Sequence, residues 1–113
     1  DRTPFRFNGN VINDGSIPNL PKDACVEIPV FADKDGIHKT IVGELPAHLA
    51  ILVSTTAQIE NLVVCAAMTK SREDVYHAVM MDPLCSAVCS LQEIRDMCDL
   101  IFEKNTDYLG DYK

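Results

Sequence analysis

Phe5-Arg6-Phe7-Asn8 alternates apolar and polar side chains, the period-two signature of a half-buried strand. From Asn8 to Asp23 there are four Asn, two Gly and two Pro. Residues that accept left-handed backbone or break regular structure predict an irregular loop there. Cys25-Val26-Glu27-Ile28-Pro29-Val30-Phe31 is apolar and β-branched, so it reads as a strand that Pro29 confines to an edge or bulge. Asp33-Lys34-Asp35-Gly36 is a turn signal, and Ile37 to Val42 returns as a second strand, which predicts a β-hairpin. The period changes after Gly43. Pro46 suits a first helical turn, and a long helix is predicted from there to about Thr69. Ser54, Gln58 and Asn61, at i, i+4 and i+7, give its middle one polar face. Leu62 to Met68 is apolar on every side, which predicts burial on every side.

Capping signals divide the remainder. Ser71 with Asp74 is an acidic variant of the capping box, Asp82-Pro83 offers an N-cap with Pro at N1, and Ser90 with Glu93 is a regular box. Ile94, Met97, Cys98, Ile101 and Phe102 then form one amphipathic stripe. The polar tail from Asn105 to Lys113 is expected to fray. The architecture that follows is α+β, a small antiparallel sheet with three to four packed helices, residues 1–113 forming a single domain.

Composition narrows the functional classes. Hydrophobic residues at 47% and charged residues at 24% are those of an ordinary folded chain rather than a disordered one. Ten basic against seventeen acidic residues leave a net charge of −7, whereas nucleic-acid binders present a basic patch, so nucleic acid is not an expected partner. The longest unbroken apolar run, Leu62 to Met68, is far short of the roughly twenty residues of a membrane span, so no membrane partner is expected either. The chain opens on Asp1 without an initiator Met or signal segment, which points to processing or excision from a longer polypeptide. Five cysteines, an odd number at spacings foreign to secreted scaffolds, read as reduced, buried, structural thiols and place the protein in the cytoplasm. Only Cys85 and Cys89, four apart, would sustain a thiol redox reading.

Catalytic patterns are missing from the sequence. His38, His48 and His77 have no carboxylate-spaced partners and read as surface histidines, and no Gly-rich phosphate loop or nucleophile elbow occurs. No metal-ligand set is identified. The Asn-rich stretch remains. An amide donates and accepts at once, as sugar hydroxyls do, but the same residues also serve simple turn chemistry.

Phe5-Arg6-Phe7-Asn8-Gly9-Asn10-Val11, then Asn13-x-Gly15-x-Ile17-x-Asn19-Leu20-Pro21 and Val26-Glu27-Ile28-Pro29, run in order along the chain. They continue through Val42-Gly43-Glu44-Leu45-Pro46, Asp82-Pro83-Leu84 and Ser90-Leu91-x-Glu93-Ile94. This series resembles the C-terminal region of glycoside hydrolase family 4, in its α-galactosidase, α-galacturonidase and α-glucosidase branch. The resemblance implies a cytosolic, oligomeric, lactate-dehydrogenase-like parent whose N-terminal Rossmann domain binds NAD and a divalent metal, commonly manganese. It implies hydrolysis by oxidation, elimination, addition and reduction, outside the two-carboxylate scheme. The nucleotide loop and metal ligands of that family lie upstream and have no counterpart here, so this chain alone is expected to be inactive, with no catalytic residue of its own. Its implied part is to lend Asn13, Gly15 and Asn19 to the sugar pocket wall and its helices to packing and oligomer contacts, with the polar helix face Ser54, Gln58 and Asn61 lining either the sugar pocket or a subunit contact. One departure is that Val53-Ser54-Thr55-Thr56 replaces an Asn-Arg-Thr-Asn type run, losing a forked cationic donor. The competing reading is a stand-alone interaction or carbohydrate-binding module without catalysis.

Overall fold

The structure is a computed structural model that describes residues 3–113. Its elements run β1 (Phe5–Ile12), β2 (Cys25–Asp33), β3 (Gly36–Lys39), α1 (Ala47–Thr69), α2 (Arg72–Met81), α3 (Pro83–Val88), α4 (Leu91–Lys104) and α5 (Thr106–Leu109). This is the expected α+β architecture. Two compact units divide it, one ending at Gln58 and the other comprising Ile59–Lys113.

In the first unit the sheet has the order β1-β2-β3, antiparallel throughout. The register pairs Phe7 with Val30, Gly9 with Ile28 and Val11 with Val26, and it pairs Ala32 with Ile37 across the hairpin. β1 is longer than the sequence suggests: Asn8 to Ile12, expected to begin the loop, stay in the strand. Pairing with Pro29 through Cys25 overrides the poor strand propensity of Asn and Gly. Gly9 is the small residue that this packing needs, since a Cβ there would sit 3.1 Å from both the Phe7 ring and a Val30 methyl. The hairpin's return strand is shorter than expected and ends at Lys39 instead of Val42. Val26, Ile28 and Val30 face a core with Ile17, Leu20, Ala24, Ala50 and Ala57.

The second unit is built on its caps. Ser71 accepts from the Asp74 N–H, Asp82 accepts from the N–H groups of Leu84 and Cys85, and Ser90 with Glu93 forms the reciprocal box. Ile94, Cys98 and Phe102 of the amphipathic stripe are buried with Tyr76. The tail is ordered where fraying was expected. Lys113 donates its N–H to the Lys70 carbonyl, Arg72 donates to the Lys113 carbonyl, and the Tyr112 ring lies 5.6 Å from that of Phe102. These long-range contacts replace the local stability the tail lacks.

Two burial expectations are corrected. Of Leu62 to Met68 only Ala66 is buried, and Val63, Val64 and Met68 stand half or more exposed. An all-apolar helix end needs cover, and the described residues supply only part of it. Of the five thiols only Cys98 is buried. Cys85 and Cys89 are half-buried, while Cys25 and Cys65 are exposed. By length and composition α1 could also cross a membrane, with a mean hydropathy of 1.6 in its most apolar window. Its middle nevertheless carries Gln58, Glu60 and Asn61, and a charge at mid-bilayer is costly.

Candidate functional site

The loop after β1 is organised around Asn13. Left-handed backbone at Asp14 (φ 44°) and Gly15 (φ 91°) turns the chain back over it. The Asn13 side chain is wholly buried, its Nδ2 donating to the carbonyls of Ile17 (3.0 Å), Leu20 (3.2 Å) and Pro21 (3.0 Å) and its Oδ1 accepting from the Ile17 N–H (2.7 Å). The amide thus closes the loop on itself. Asn19 performs a second closure, donating to the Leu45 carbonyl at 2.8 Å and accepting from the Leu45 N–H at 3.0 Å. The Ser16 carbonyl accepts from the Val42 N–H at 2.8 Å. The loop is therefore fastened to the segment that leads into α1. Asn13, Gly15 and Asn19 do come together, as one turn assembly whose two amides are engaged by backbone. The loop residues left exposed are Asp14, Pro18, Lys22 and Asp23.

Sequence reasoning missed the backbone partners, Ser16 and Leu45, because a carbonyl and an N–H leave no trace in residue type. It also placed Asn8 and Asn10 in the loop. They lie on the outward face of β1 with Arg6, opposite Pro29, Glu27 and Phe31. The period-two alternation of Phe5, Phe7, Gly9 and Val11 against Arg6, Asn8, Asn10 and Ile12 was the available signal.

Ser54 is half-buried and Gln58 exposed in the first unit, and Asn61 is exposed in the second. Elsewhere on the first unit His38 Nε2 lies 3.0 Å from Asp33 Oδ1 at the surface, and this bond, with the Asp35 N–H, holds the Asp33 carboxyl below its ordinary range. In the second unit Tyr76 donates to Asp99 at 2.5 Å, which raises the phenol's pKa, and burial raises that of Cys98. A cleft of about 180 Å³ there is walled by Val75, Val79, Met97, Ile101, Leu109 and Tyr112 and is apolar. Among the described residues no three His, Cys, Asp or Glu side chains group closely enough to hold a metal. The candidate site among the described residues is a shaped loop beside the start of α1.

Comparison with known proteins bears on the family and the fold. The model of the family 4 glycosyl hydrolase C-terminal domain matches residues 1–85. The chain is 44% identical over 110 residues to an α-galactosidase of Bacillus subtilis (strain 168), covering 97% of this chain and 26% of that enzyme. It is 33% identical to an α-galactosidase of Rhizobium meliloti (strain 1021), covering 96% of the chain and 22% of the relative. The chain thus spans about a quarter of these relatives' length. Among solved structures it superposes with a TM-score of 0.84 and 30% identity on a 6-phospho-α-glucosidase from gut microorganisms in complex with NAD and glucose-6-phosphate, over 96% of the chain and 24% of that protein. A second 6-phospho-α-glucosidase, in complex with NAD and Mn2+, gives a TM-score of 0.82 at 25% identity, over 93% and 23%. The domain match, the relatives and the fold converge: this chain belongs to the C-terminal domain family of the family 4 glycosyl hydrolases.

Proposed function

We propose that residues 1–113 serve as the C-terminal domain of a cytoplasmic, NAD- and manganese-dependent glycosidase that hydrolyses O-glycosyl bonds in carbohydrate metabolism. The observation that carries this reading is the 44% identity to an α-galactosidase across nearly the whole chain, at only about a quarter of that enzyme's length. The oxidation–elimination–addition–reduction route is part of the proposal, and no step of it is assigned to a residue of this chain. NAD and manganese would be held by the N-terminal Rossmann domain, the partner of this one. What these residues do is positional. The Asn13 closure and the Asn19–Leu45 clamp fix the loop beside the sugar, and the helices supply packing and oligomer contacts. Neither nucleic acid nor a membrane enters this reading, which the acidic balance and the polar middle of α1 support.

The test is an assay of the intact enzyme that carries this chain, on aryl α-galactosides with NAD and manganese. Cleavage should require both additions, and the 113-residue chain alone should turn over nothing. Sugar cleavage by the isolated chain, or an intact protein indifferent to NAD, would overturn the proposal. A stand-alone binding module would instead show sugar binding by the chain with no cleavage in any longer form.

A further inference from the structure

We draw no further inference here: the strongest candidate, the exposed apolar side of α1 that displays Leu49, Leu52, Val53, Val63 and Val64, carries nothing because nothing in the structure shows what covers it.

Discussion

Asn13 shows how much a single amide can hold. It is buried with no exposed surface, and its four hydrogen bonds tie together Ile17, Leu20 and Pro21, the turn that supplies two residues of the first core. An unsatisfied buried polar group costs about 1–3 kcal/mol, and Asn13→Ala leaves the Ile17 N–H and at least one carbonyl unpaired. Urea unfolding of Asn13→Ala should therefore show a loss of about 2–4 kcal/mol, and a loss under about 1 kcal/mol would mean that the loop holds itself. Asn13→Asp separates the two halves of the amide. Its carboxylate can still accept from Ile17, but it points negative oxygen at three carbonyls, which raises its folded pKa above the unfolded value of about 3.9. A raised pKa contributes stability that is present below the unfolded value and lost as pH rises through the folded one. The deficit of Asn13→Asp against wild type should thus widen from acid to neutral pH, and a deficit that narrows would show that the aspartate is paired in some other way.

At the scale of elements, the helix starts carry their own evidence. The Ser90–Glu93 box satisfies two orphan donors of α4, and Ser90→Ala should cost about 1 kcal/mol in thermal or urea unfolding. The Ser90 N–H, with its hydroxyl, holds the Glu93 carboxyl below its ordinary 4.5. A depressed pKa contributes stability that is present above the unfolded value and lost as pH falls through the folded one. Helicity followed by circular dichroism should therefore fall on acidification below about 4.5 less steeply in Glu93→Gln, which keeps an oxygen acceptor that cannot titrate. An identical acid limb would place the transition elsewhere. Local signals of this kind explain which elements were legible. Ser71, Asp82 and Ser90 each act within three residues, so the starts of α2, α3 and α4 could be read directly, and so could the stripe of α4. β1 could be read only as far as Asn8, because Asn10 and Gly9 are kept in the strand by register with Glu27 and Ile28 sixteen or more positions away. The ordered tail depends on Lys70 and Phe102 in the same way. In the loop, residue type pointed to Asn13 and Asn19, but not to the backbone groups their amides would find. The exposure of Val63, Val64 and Met68 was not legible at all, since burial depends on what lies against a helix as well as on its pattern.

For the whole molecule, the feature with the widest consequence is that the two hydrophobic clusters share no member. One is built on Ile28, Val30, Ile17 and Leu20, the other on Ile94, Tyr76, Cys98 and Phe102. Each can be weakened by a substitution that leaves the other's contacts in place. Ile28 and Ile94 are both essentially unexposed, and truncation of either to alanine should remove about 2–5 kcal/mol from the structure it supports. Proteins open regionally as well as globally, in units that follow such packing. Hydrogen exchange read by region should therefore separate the two variants. Ile94→Ala should accelerate exchange in α2, α4 and the tail amide of Lys113 while β1 and β2 keep their protection, and Ile28→Ala should do the reverse. Uniform acceleration across both regions in either variant would mean that the chain opens only as a whole, whatever the separation of its cores. The regional result would instead mean that the loop built on Asn13 can keep its shape while the helical unit opens, because every bond that closes that loop lies on the Ile28 side of the chain.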